Sequence, residues 1–166
     1  MTDLPILTQR RIEAAFAKGI YEEMAAELGT EQAKRILTNA VVKLARAAAS
    51  EMAKQAPGGA PDLDSFRDIQ RFWTAGDALR TEVVASTSTD FHFNVVRCRY
   101  AEMYREMGLA ELGSILSCNR DGAFSEGYDP NLKLARTQTL MGGASHCDFR
   151  YTRDNEDGRT SEGGST

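Results

Sequence analysis

The chain has 166 residues, 42% of them hydrophobic and 27% charged, with 20 Lys plus Arg against 24 Asp plus Glu for a formal charge of -4. No long block of one sign occurs, which argues against nucleic acid and against an anionic membrane as partners. Area scaling gives roughly 8,000 Å² of folded surface against about 26,000 Å² unfolded, so one core forms without disulfide or metal staples.

The apolar stretches are short or interrupted by charge, and Met1 to Arg11 has no basic segment followed by an apolar one. Neither a membrane span nor a secretory leader is expected. Cys98, Cys118 and Cys147 are an odd set without a C-x-x-C pair, which fits reduced thiols in a cytoplasm.

In chain order, Ile12, Ala15, Phe16, Ile20, Met24 and Leu28 recur at helical spacing and predict a first helix with that stripe as its core face. Gly29 stops it, and Thr30 is the expected N-cap of a second helix running to about Gln55. Its stripe of Ala33, Ile36, Leu37, Ala40, Val41, Leu44, Ala48 and Met52 suits either the core or a partner. Two Pro and two Gly make Ala56 to Pro61 a loop. Asp62 or Asp64 then caps a short third helix whose Phe66, Phe72 and Trp73 are expected in the core.

After Gly76 the period falls to two. Thr81 to Thr87 and Phe91 to Cys98 read as a β-hairpin around a turn at Ser88 to Asp90. A helical pattern returns from Tyr100 to Cys118, divided at Gly108, and Asn119 to Tyr128 connects it to a second expected hairpin. That hairpin is Leu132 to Met141, a Gly142-Gly143 turn, and His146 to Thr152. The expectation is an α+β fold, with an antiparallel sheet of about four strands from two hairpins covered on one face by helices. Residues 1–152 form one domain, helical over 1–75 and hairpin, helix, hairpin over 76–152, and the polar tail 153–166 is expected to be disordered.

Walker A, G-x-G-x-x-G, G-x-S-x-G and H-E-x-x-H motifs are absent. Ionisable and thiol groups concentrate instead in the sheet-forming half: His92, Asn94, Cys98, Cys118, Asp121, Arg136, His146 and Cys147. The two-residue period puts Cys147, Phe149 and Tyr151 on one face of the last strand, with Phe149 marking that face as helix-covered. On the earlier strand His92, Asn94, Val96 and Cys98 share a face, and the pattern does not say which side borders a pocket. Cys147 is a nucleophile or a small buried hydrophobe; Asp121 is a general base or a partner of Arg120. Arg136 is a clamp for a substrate carboxylate or a cross-strand ion pair. No two thiols have short zinc-ligand spacing, so neither a metal nor a cofactor is expected.

Phe93 to Tyr104, then Cys118-Asn119-Arg120-Asp121, then Arg136 to Arg150 resembles the L-2-amino-thiazoline-4-carboxylic acid hydrolase family by motif, over roughly residues 70 to 152. Gly143 to Phe149 is also similar, more loosely, to the closing hairpin of 4-vinyl-reductase-type ligand-binding domains. The first resemblance implies a small bacterial hydrolase that opens a heterocycle at a non-peptide C–N or C–S bond, with a cysteine-derived thiazoline carboxylate as the named substrate. Cys147, Asp121, Cys98 and Arg136 occupy its recurrent motif positions, which implies site roles for them, Cys147 and Asp121 as catalytic and Arg136 and Cys98 as substrate contacts; from residue type, His92 is a further catalytic candidate and Asn94, Cys118 and His146 further contacts. Two mechanisms are open: attack by Cys147 with Asn94 or a backbone N–H stabilising the developing charge, or water activated by Asp121. The competing readings are a non-catalytic small-ligand sensor and an interaction module, and a homo-oligomer is compatible with all three.

Overall fold

The computed structural model describes residues 4–154. Helices α1 (Ile6–Leu28) and α2 (Thr30–Ala53) meet at Gly29, whose φ of 85° is a conformation open to a residue without Cβ. The Gly29 carbonyl already accepts from Ala33 N at 3.1 Å, so Gly29 takes the capping position expected of Thr30, and Thr30 is the first helical residue. Ala33, Leu37, Val41, Ala45, Ala49 and Ala53 of α2 are buried. They face α7 (Asn119–Tyr128), where a Cβ on Gly127 would lie 2.8 Å from the Arg46 carbonyl oxygen. Of the expected stripe, Ala33, Leu37 and Val41 are internal, whereas Ile36, Ala40, Leu44 and Ala48 are exposed; the buried line continues instead through Ala45, Ala49 and Ala53.

In α1 the expected core stripe faces outward: Ile12, Phe16, Ile20 and Leu28 are exposed, and Ala14 is the buried residue of the helix. Ile6, Leu7, Ala17, Tyr21 and Met24 supply the partly buried side. The inward stripe is less apolar than the outward one because it also carries Arg10 and Glu13, each hydrogen-bonded inside the fold.

Helix α3 (Leu63–Ile69) begins with a capping box in which Asp62 accepts from Ser65 N at 2.8 Å and Ser65 Oγ accepts from Asp62 N at 3.0 Å. It is followed by the single turn α4 (Arg71–Thr74). Phe66 is fully buried, Trp73 packs edge-on against Phe124 at 4.9 Å, and Phe72, expected in the core, is exposed with Arg71 over its ring. Strands β1 (Leu79–Ser86) and β2 (Asp90–Cys98) form the first hairpin. Helix α5 (Arg99–Glu106) follows directly, and Gly108, at φ 68°, turns the chain into a rod of α6 (Ala110–Gly113), a π-helical turn (Ser114–Cys118) and α7.

The second hairpin differs from expectation. Strand β3 (Leu132–Ala135) stops six residues early, and β4 (Cys147–Arg153) starts one residue late. Past Ala135 the N–H groups of Thr137 and Gln138 go to the Asp148 carboxylate at 3.0 and 2.9 Å instead of to strand carbonyls, which ends the ladder. Gly142 and Gly143 make a turn inside the resulting loop, with Gly143 N donating to Leu140 O at 3.1 Å. The chain extends past the expected domain end: Arg153 closes β4 and reaches Asp129 at 2.6 Å, and Asp154 N bonds Asn131 O. The expectation for the tail beyond 154 lies outside the described residues.

The sheet is antiparallel throughout, in the order β1-β2-β4-β3, confirming the α+β class. Val95 pairs with Cys147 and Phe93 with Phe149, whose rings stack at 4.9 Å. These inner-face residues pack with Tyr151 and Leu132 under Ala49, Phe66 and Tyr128 from α2, α3 and α7. A second core joins α1, α2, α5 and α6 through Leu37, Val41, Tyr100, Tyr104, Leu112 and Leu116. Leu79 and Cys98 pack against both cores. Among the described residues no helix is long and apolar enough to cross a membrane.

Candidate functional site

The seam between the two cores is where the chemistry-bearing groups converge. Cys98 ends β2 and accepts Ala101 N at 3.4 Å as the N-cap of α5. Cys118 ends the π-helical turn, a distortion that concentrates at functional sites because it frees backbone groups and redirects side chains. Two guanidiniums take up nearby carbonyls of this rod: Arg120 Nε donates to Leu116 O at 2.7 Å and Arg136 to Cys118 O at 3.0 Å. Asp121, one turn into α7, accepts from Arg136 at 2.5 Å. Arg136 follows β3 on the inner side of the sheet, 4.8 Å over the Phe149 ring.

Cys147 opens β4 on that same face, buried, and its Sγ accepts Leu140 N at 3.2 Å. The loop that presents Leu140 is pinned at several points. Arg105 donates to Leu140 O at 2.6 Å, and Met141 fills the space above Gly113, where a Cβ would stand 2.4 Å from its sulfur.

Burial pushes Cys98 up to about 11 and Cys118 up to about 12. Cys147 is also raised by burial, which outweighs the Leu140 N–H and the Arg136 charge that favour its thiolate. All three are therefore thiols near neutral pH. Asp121 is raised by burial as well, with Arg136 opposing, so its carboxylate is more basic than an exposed one while still ion-paired. The Arg136 guanidinium, for which burial would lower the pKa, is held above its ordinary value by Asp121.

Cys98, Cys118, Cys147 and Asp121 are close enough to shift one another's titration. Among the described residues no three His, Cys, Asp or Glu groups are arranged to hold a metal ion. Clefts of about 520 and 440 Å³ lie off this cluster, one along α1 and one between α1 and α5.

Of the residues singled out from sequence, Cys98, Cys118, Asp121, Arg136 and Cys147 share this seam. His92, Asn94 and His146 do not. His92 pairs in register with Arg150, and Arg150 donates to Asn94 Oδ1 at 3.0 Å, which puts all three on the outer face of the sheet. His92 lies 3.5 Å from Asp90, and His146 contacts Gln138 and Ser145. Strand parity separates His92 from Cys147, so no imidazole is placed to take the Cys147 proton. Arg136, for which a carboxylate clamp and an ion pair were both open, is ion-paired, with Asp121 of α7 and not with a residue of a neighbouring strand.

Sequence reasoning missed Arg10 and Glu13. Glu13 binds Arg10 at 2.6 Å and Arg120 at 3.3 Å, so two guanidiniums share one carboxylate. Burial would raise Glu13, but Arg10 and its other partners hold it below its ordinary value, while burial and the Arg10 charge lower Arg120. Both arginines bear on the charge of Asp121. Tyr100 and Tyr104, raised by burial, line the same side. The available signal was Arg10, Ala14, Ala17 and Tyr21 at helical spacing, a stripe weaker in apolar content than its neighbour.

A family model described as L-2-amino-thiazoline-4-carboxylic acid hydrolase matches residues 9–151. Among solved structures, the phenol-responsive sensory domain of the transcription activator PoxR, crystallised with phenol, shares the fold at a TM-score of 0.54 and 15% identity. The alignment covers 87% of this chain and 77% of that one. Comparison with curated proteins gives no match.

Proposed function

The chain belongs to the L-2-amino-thiazoline-4-carboxylic acid hydrolase family, and from that premise we propose that it hydrolyses a small anionic heterocycle, with Asp121 as the base that activates water. The observation that carries this reading is the half-buried Asp121–Arg136 ion pair at 2.5 Å, beside three cysteines whose burial favours the thiol form. A base with raised affinity for a proton works near neutral pH, whereas a protonated thiol without an imidazole partner is a poor nucleophile.

In the proposed reaction water loses a proton to Asp121 as its oxygen bonds to the amidine carbon of a thiazoline. The tetrahedral intermediate then collapses by breaking a ring C–S or C–N bond. The first proton passes from Asp121 to the ring nitrogen, which takes the C=N electron pair on attack; as the ring bond breaks, the hydroxyl proton of the intermediate passes through Asp121 to the departing sulfur or nitrogen, giving N- or S-carbamoyl-cysteine with both protons of the water placed. Arg10 and Arg120, two cations sharing Glu13, are the proposed seat for the substrate carboxylate.

Purified protein incubated with 2-amino-thiazoline-4-carboxylate, followed by product mass and thiol titration, tests the reaction. Asp121→Asn is expected to lower kcat at least roughly 100-fold, and Cys147→Ser less than about 10-fold with no covalent adduct. Loss of turnover in Cys147→Ser, with an acyl-type adduct on the parent protein, would transfer the leading role to Cys147. A second reading is a ligand-binding domain without turnover, favoured by the fold shared with a phenol-responsive sensory domain. Saturable binding of a heterocycle or phenol with no product formed would select it.

A further inference from the structure

The two ends of the seam differ in access. Asp121 keeps 34% of its side-chain surface, whereas Cys147 is 6% exposed. What covers Cys147 is the loop of residues 139–145, whose Leu140 N lies 3.2 Å from Sγ. Two adjacent side chains part ways here: Leu140 packs on the sheet core, and Met141 packs on the core shared by α1, α2, α5 and α6. One short loop therefore spans the line where the two cores meet. We propose that residues 139–145 are a lid over the seam, latched by Met141 in a socket at Gly113, which swings open to admit a ligand to Cys147 and Asp121. Such a lid presupposes that the seam is the reactive site and gives that site its entrance.

The loop is knit to itself more than to its surroundings. Gly142 N and Ala144 N donate to Thr139 O at 3.1 and 3.0 Å, and Gly143 N donates to Leu140 O at 3.1 Å. Gly142 N also lies 3.0 Å from Thr139 Oγ1. All of these bonds survive a rigid swing. Those that a swing breaks are Leu140 N on Cys147 Sγ and the Arg105 guanidinium on Leu140 O at 2.6 Å, together with the apolar contacts of Leu140 and Met141. A thiol is a weak acceptor and the Arg105 bond is exposed, so opening costs far less than unfolding. The stems stay in place, because Asp148 holds the N–H groups of Thr137 and Gln138, and Gln138 Nε2 reaches His146 O at 3.1 Å across the base of the loop.

Gly113 specifies the closed position. It is buried at the end of α6, inside the helical rod, where glycine is a poor helix residue. A Cβ there would overlap the Met141 sulfur and stand 3.4 Å from its Cγ. The missing Cβ is the socket. An unbranched Met side chain with three rotatable bonds enters and leaves it without rearranging the rod, which suits a latch better than a fixed core contact.

Iodoacetamide labelling of Cys147 in the full chain, read by peptide mass, and hydrogen exchange of the loop amides report opening without turnover. Met141→Ala removes the latch and Gly113→Ala fills the socket. Each should speed Cys147 labelling and exchange at residues 140–144 by roughly 10-fold or more, with the amides of β2 unchanged. In the double variant Gly113→Cys with Met141→Cys, the oxidised, cross-linked form should label Cys147 about 10-fold more slowly than the parent, and reduction should restore the rate. Unchanged labelling and exchange in Met141→Ala overturn the lid. So does acceleration that extends to β2, which reports loosening of the whole fold. Turnover is read separately: the cross-linked form should lose hydrolysis of 2-amino-thiazoline-4-carboxylate and regain it on reduction. Hydrolysis that persists in the cross-linked form overturns the lid and leaves the reaction standing. A parent protein without hydrolysis removes the reaction and leaves labelling and exchange to decide the lid.

Discussion

The two faces of the central sheet share β2 and β4 yet hold their polar groups in opposite ways. Inside, Cys147 and the nearby Asp121 are both raised by burial. Outside, Asp148 is partly buried, and burial, its largest single influence, would raise it, but hydrogen bonds acting together outweigh that. The hydroxyl of Thr137 and the N–H groups of Thr137 and Gln138 hold it at about 2. Two aspartates therefore serve different ends. The surroundings of Asp121 raise its affinity for a proton, as the proposed base role requires, and those of Asp148 keep it ionised where it straps a loop to the sheet. One step of strand parity, as between Asp148 and Cys147, is enough to change which environment a side chain meets.

The sharpest attack on this contrast is through Arg136. Its charge favours the ionised form of Asp121, so Arg136→Gln should raise the Asp121 pKa further. The base form then becomes available only at higher pH. The acid limb of kcat/KM is expected to move upward, with roughly 10- to 100-fold lost at pH 7 and part of it regained at pH 9. An unmoved acid limb would mean that the ion pair plays no part in the chemistry. The outer face supplies the control. His92→Ala should change kcat/KM by less than about threefold across the same profile, and a loss near 100-fold would bring the outer face into the reaction.

The legible parts of the molecule were those where local chemistry and tertiary packing agree. Gly29 and Gly108 ended helices because each adopts positive φ, Asp62 capped because Ser65 sits three residues on, and the alternation of Phe91 to Val96 survived into β2, breaking at its end where Cys98 turns into the core and Arg97 outward. Cys147 and Phe149 share the helix-covered face as their spacing required. What failed did so where packing opposed pattern. The more apolar stripe of α1 faces out, because the inward one carries a charged network that no periodicity reveals. Strand β3 ended at Ala135 because Asp148 captured the N–H groups of Thr137 and Gln138, a contact across 10 or 11 residues of chain. The outer placement of His92 depended on which residue of β2 faces β4, and alternation alone is equally consistent with either face.

The smallest effect concerns that Asp148 strap. Asp148→Ala removes three hydrogen bonds to the segment that follows Arg136, which at this partly exposed position is worth about 1–2 kcal/mol. The folded-state carboxyl sits at about 2, below its ordinary value, so its contribution is fully present above the ordinary carboxylate range. It fades as pH falls through that range and is lost near the folded value. Denaturant unfolding should thus show a wild-type advantage of that size at pH 7 that shrinks below about pH 4, while the advantage holds steady from pH 5 to 8. A gap independent of pH down to about 2 would show that the side chain stabilises the loop by packing and not by its charge, and the contrast between the two aspartates would then rest on Asp121 alone.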